Sequence, residues 1–82
     1  MTAAKVGDLV EVVWDDAVCD NDEARLHELS DLPRVTTRGI LLARTERYVR
    51  VAGETIEHGS GNITYRAVTT IPAPWVIKPA GK

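Results

Sequence analysis

Apolar and polar residues alternate along most of this chain with the period of a β-strand, in which successive side chains point to opposite faces. Residues 8–14, Asp-Leu-Val-Glu-Val-Val-Trp, are β-branched and aromatic and too few for a helix, and Gly7-Asp8 supplies a turn before them. They predict a first strand with Val10, Val12 and Trp14 on one face and Leu9, Glu11 and Val13 on the other. Residues 35–44 predict a long second strand, and Gly39 inside it marks a bend or bulge. Thr45-Glu46-Arg47 is a short polar connection to a third strand over 48–52, with Val49 and Val51 on one face. Gly53, Gly59, Gly61 and Asn62 predict a loop over 53–62, although Thr55-Ile56 can extend the third strand. Residues 63–71 predict a fourth strand and residues 75–78 a short fifth one, separated by Pro72-Ala73-Pro74.

Residues 15–34 break this period. Asp15, Asp16, Asp20, Asp22 and Glu23 crowd its first part, and Glu23 to Leu32 reads as a short helix. Asp20 can cap that helix with Glu23 at the capping-box spacing, Leu26, Leu29 and Leu32 supply an apolar face, and Pro33 stops it. Five strands with a bent second one predict an all-β domain spanning residues 1–82. The expected architecture is a five-stranded small barrel of the SH3-like or Sm-like kind, with one short helix inserted between strands one and two. Trp14 and Trp75 are the largest apolar side chains in a chain without phenylalanine, and both are expected in the interior.

Composition narrows the picture. The chain has 82 residues, 44% hydrophobic and 27% charged, which places it among globular domains and away from disordered segments. A domain of this size hides only about 60% of the surface of its unfolded chain, so its core is thin. The net charge of −2 weighs against general nucleic-acid binding, which needs a concentrated positive field. Cys19 is the only cysteine, and Met1 to Gly7 contains no apolar leader, so a reducing cytoplasm is the expected location. No apolar run is long enough to span a membrane, and Asn62-Ile63-Thr64 is read as a chance glycosylation triplet.

Several stretches together carry a resemblance. They are Val13-Trp14-Asp15-Asp16-Ala17, a polar insert, Val35 to Leu42 with its inner Gly39, Tyr48-Val49-Arg50-Val51-Ala52, and Thr70-Ile71-Pro72 followed by Val76-Ile77. In this order the chain resembles a group of small bacteriophage- and prophage-encoded proteins. It departs from them at Asp16-Ala17, where a small hydroxyl residue is usual, and at Trp75, where a small residue is usual. The resemblance implies a phage or mobile-element origin, a small barrel and no catalytic role. A narrower likeness to Sm-type RNA-binding rings lacks their nucleotide-binding signatures. Arg38-Gly39 lies mid-strand, and Ile71-Pro72 stands where an Arg-Gly pair belongs.

Candidate chemistry is sparse. The acidic run 15–23 lacks the glycine and terminal glutamate of a calcium loop and reads as a solvated, helix-capping segment. Cys19, His27 and His58 match no zinc spacing, so no metal or cofactor is expected. Acidic neighbours disfavour the Cys19 thiolate, His58-Gly59-Ser60-Gly61 precedes a strand where a phosphate loop would precede a helix, and neither Ser30 nor Ser60 has the setting of a nucleophile. The chain is therefore not expected to be an enzyme. Arg44, Arg47, Tyr48, Arg50 and Arg66 gather around the hairpin of strands two and three and the strand expected beside it, and they form the candidate partner-binding site. Two functions follow from these readings. One is a non-enzymatic protein-interaction or assembly module that pairs with a protein, or with itself, through its strand edges. The alternative is an Sm-like oligomer binding single-stranded RNA or DNA through the basic hairpin.

Overall fold

The computed structural model describes residues 4–17, 23, 25–29 and 31–81. Five strands form: β1 (Leu9–Asp15), β2 (Arg34–Arg44), β3 (Tyr48–Glu57), β4 (Ile63–Pro72) and β5 (Val76–Gly81). They build one antiparallel sheet in the order β4-β3-β2-β1-β5. A 3-10 turn, Ala73–Trp75, joins β4 to β5, and the Ala73 N–H donates to the Arg47 carbonyl at 2.9 Å.

The expected barrel is not formed. β4 and β5 occupy opposite ends of the sheet, and among the described residues no ladder closes one onto the other. The molecule is an open sheet measuring 57 × 32 × 18 Å. Its radius of gyration is 15.9 Å, against about 12 Å for a compact domain of this length.

The sets grouped by alternation, Val10 with Val12 and Trp14 and Val49 with Val51, fall on the core face. Val10, Val12, Trp14, Leu41, Val49, Val51 and Ile71 are buried on one face, joined by Ala4 and backed by Val35 and Val76. Trp14 anchors it. Its indole N–H donates to Thr37 Oγ1 at 2.9 Å, so the polar end of a buried ring is satisfied. Trp75 departs from expectation: it stacks on Trp14 with centroids 6.4 Å apart but is 40% exposed, covering the core's end from outside.

Gly39 marks a close approach of two strands, and the irregularity expected there falls further along β2. A Cβ at Gly39 would sit 2.1 Å from the Ala52 carbonyl oxygen, so only glycine lets β2 approach β3 this closely. A register shift follows between Leu41 and Ala43.

The helix expected over 23–32 reduces, among the described residues, to the 3-10 turn Leu26–Glu28. Leu26 is 87% exposed, and Leu29 and Leu32 are also exposed. A ten-residue helix is marginal without tertiary packing, and none of these three leucines is buried. The expected cap, Asp20, lies outside the described residues.

The largest extension beyond expectation is in β3. It runs through Gly53 to Glu57 and pairs with β4 down to Glu57↔Ile63. The predicted loop shrinks to a tip closed by His58 N–H on the Asn62 carbonyl, 2.8 Å. Gly53 permits the continuation: a Cβ there would meet the Ala67 Cβ at 3.2 Å. No helix among the described residues is long and apolar enough to cross a membrane.

Candidate interaction surface

The five residues nominated from the sequence do not form one patch. Ladder register puts Arg44 opposite Val49, on the core side of the sheet, and its guanidinium donates to the Ala4 carbonyl at 2.6 Å. Arg44 therefore holds down the N-terminal segment. Tyr48 and Arg50 lie on the other face, with the guanidinium 4.6 Å from the Tyr48 ring centroid and its Nε donating to Thr70 Oγ1 at 3.0 Å. Arg66 belongs to the distal part of the same face, where Glu54 accepts from both its Nε and Nη2. Arg47 sits exposed in the β2–β3 turn.

Carboxylates answer the other arginines of the sheet. Arg38 pairs with Glu11 at 2.7 Å and Arg34 with Asp15 at 3.3 Å. The result is a surface of alternating sign without the concentrated positive field that nucleic-acid backbones require. The sequence clustering came from nearness along the chain. Strand alternation then sent Arg44 and Arg50 to opposite faces.

What the fold does bring together is the β3–β4 hairpin itself. Up to Ala52 this hairpin is core, because β2 flanks β3 through the rung Ile40↔Ala52. Beyond Ala52, β4 is the one strand paired with β3. Residues 53–57 and 63–66 thus form a two-stranded arm, roughly 17 Å long at the rise of an extended strand. No side chain in the arm is buried. It exposes Ile63 and Tyr65, opposite Glu57 and Thr55, and Val68 is exposed at its base.

A backbone irregularity marks where core becomes arm. Ala67 has φ 56°, a left-handed conformation that L-residues other than glycine and asparagine rarely take. Rungs on both sides, Ala52↔Val68 and Glu54↔Arg66, keep the same register. The left-handed residue therefore turns the strand without slipping it.

The two sheet edges differ in chemistry. β5 carries Lys78 and Pro79, and its ladder with β1 has two register shifts. Lysine, proline and irregular pairing are the devices that guard an edge strand. β4 offers nine residues, Ile63 to Ile71, before Pro72. Its one charge there, Arg66, is folded back onto Glu54.

A groove of about 320 Å³ lies at the opposite end of the sheet, between Asp15, Asp16, Leu32, Pro74, Trp75 and Ile77. Among the described residues no group of three or more His, Cys, Asp or Glu side chains converges on a metal position. His58 instead meets Thr64 Oγ1 at 2.8 Å, and Cys19 lies outside the described residues.

Sequence reasoning missed the arm because it ended the third strand at Ala52 and read residues 53–62 as a loop. The usable signal was the partner strand: Thr55 and Glu57, the positions that follow Val49 and Val51 in alternation, are polar, so the apolar face of β4 has no counterpart there.

Compared with known proteins, the chain matches no family model, no curated protein and no solved structure. The bacteriophage resemblance therefore gains no support. The function expected from it, a module built on a phage-type barrel or an Sm-like nucleic-acid ring, falls with the barrel: the sheet is open.

Proposed function

We propose that this domain binds protein partners, without a catalytic role, through the β4 edge and the β3–β4 arm. The observation carrying the reading is the arm. A two-stranded ribbon is marginal by itself in water, yet this one projects with Ile63, Tyr65 and Val68 exposed along an unguarded edge. An extended partner segment laid along β4 would satisfy its free backbone groups and cover those side chains, which is the mode of strand addition. The arrangement of charges supports a protein partner over nucleic acid, because Arg66, Arg38 and Arg34 already face carboxylates.

A photoreactive amino acid placed at Tyr65, compared with one at Thr36 on the outer face of β2, tests this in cells that express the protein. The reading expects discrete protein adducts from position 65 and none from position 36. Equal labelling at both positions, or labelling at neither, refutes it.

A further inference from the structure

The shape gives a measure of what is missing. The exposed surface is 6333 Å² for 9.0 kDa, whereas a compact monomer of that mass exposes about 4,900 Å². The excess, about 1,400 Å², exceeds the roughly 800 Å² that each partner loses in a standard stable interface. That excess belongs to the whole chain, and the exposed Ile63, Tyr65 and Val68 are the share of it that lies along β4.

The β4 edge is chemically suited to itself. An edge strand paired antiparallel with its own copy about a two-fold axis satisfies backbone donors and acceptors reciprocally, the requirement of an isologous interface. Between Ile63 and Ile71 the strand holds no carboxylate and one cation, and that cation is neutralised within its own hairpin by Glu54. Two such strands meet without opposed like charges if Arg66 avoids its own mate. A register with Val68 facing Val68 does this, setting Arg66 opposite Thr70 of the other copy.

That register has a second consequence. One rung crosses the sheet as Leu9↔Ile40, Ile40↔Ala52 and Ala52↔Val68, an apolar row on the face away from the core. The row stops at Val68, 44% exposed at the edge. A two-fold axis there continues it into the matching row of a second molecule and covers Val68 from the open side. The β5 edge offers no comparable row, and Lys78 and Pro79 stand along it.

We infer that the chain forms a homodimer in which the two β4 strands pair antiparallel near Val68, joining two five-stranded sheets into one. This rests on the reading of β4 as the docking edge and names its occupant as a second copy.

Sedimentation of the full chain from about 1 μM to about 1 mM, the range of interfaces of this size, tests it. The expected result is conversion of the 9.0 kDa species to one of twice that mass. Val68→Lys sets two lysines opposite each other at the axis, and Thr70→Lys sets a lysine opposite Arg66 of the other copy; each should weaken the dimer about tenfold or more. Thr70 is exposed, so that variant reports on association even where Val68→Lys impairs folding. Ile77→Lys on the β5 edge should leave association unchanged. A wild type that stays monomeric throughout overturns the inference. So does a dimer that survives both β4 variants or is lost with Ile77→Lys alone. If the wild type is monomeric but Tyr65 still labels a different protein, the second copy is excluded while β4 stands as the docking edge. If neither dimer nor adduct appears, both readings fail.

Discussion

The two halves of the β3–β4 hairpin share one register but belong to different physical regimes. From Tyr48 to Ala52, β3 is sandwiched between β2 and β4, and Val49, Val51 and Ile71 are buried at 5%, 0% and 0% exposure. From Gly53 to Glu57 the same ladder continues with β2 absent and nothing buried. The β3–β4 ladder runs through both halves. What differs is the second ladder, to β2, and with it apolar burial, which dominates folding free energy. The comparison teaches that the proximal half carries the buried core and the distal half adds pairing without burial.

Substitutions separate these regimes. Leu41→Ala should have the largest effect, since Leu41 is 1% exposed at the centre of the core. A loss of about 2–5 kcal/mol is expected for such a truncation, read as a fall in the denaturant midpoint, while Tyr65→Ala in the arm should shift that midpoint little. Gly39→Ala comes next. Its Cβ would collide with the Ala52 carbonyl at 2.1 Å, and overpacking of this kind costs about 1–3 kcal/mol. Thr37→Val removes the acceptor of the Trp14 indole and should cost about 1–2 kcal/mol, with a change in tryptophan emission as a second readout.

At the boundary of the halves the sign reverses. Ala67→Gly relieves a left-handed alanine at φ 56°. Relief of about 1–2 kcal/mol, less the entropy glycine adds to the unfolded chain, predicts a net gain of about 0.5–1 kcal/mol by thermal denaturation. The smallest effect belongs to Glu54→Gln, which breaks the arm's ion pair with Arg66. Both side chains are more than half exposed, so the change should be below about 0.5 kcal/mol and shrink further in salt.

Strand positions were legible because period-two alternation with turn residues between runs is a local signal. Residues 8–14 became Leu9–Asp15, residues 35–44 became Arg34–Arg44, and the face shared by Val10, Val12 and Trp14 is buried. Closure was not legible: alternation reads the same in an open and a closed sheet, and whether β4 meets β5 is decided by contacts at long range. The helix over 23–32 failed because a capping box and three leucines form a helix only when something covers them, and Leu26 is 87% exposed. Gly53 hid the arm, since a glycine that punctuates a loop looks in sequence like one that lets Ala67 come close. The arginines that cluster in sequence divide in the sheet because sequence proximity ignores which face each residue takes, and Arg44 and Arg50 take opposite ones.

Residue-resolved hydrogen exchange on dilute, monomeric protein tests the division of the hairpin most directly. The account predicts that the slowest amides lie in β1, β2 and the proximal rungs Val49↔Ile71 and Val51↔Thr69, exchanging only through global unfolding. Amides of Glu54 to Glu57 and Thr64 to Arg66 should exchange orders of magnitude faster, through local opening of the arm. Protection of equal strength along the full length of β3 and β4 in the monomer would contradict it, because the arm would then be part of the folding unit and not a surface left open for a partner.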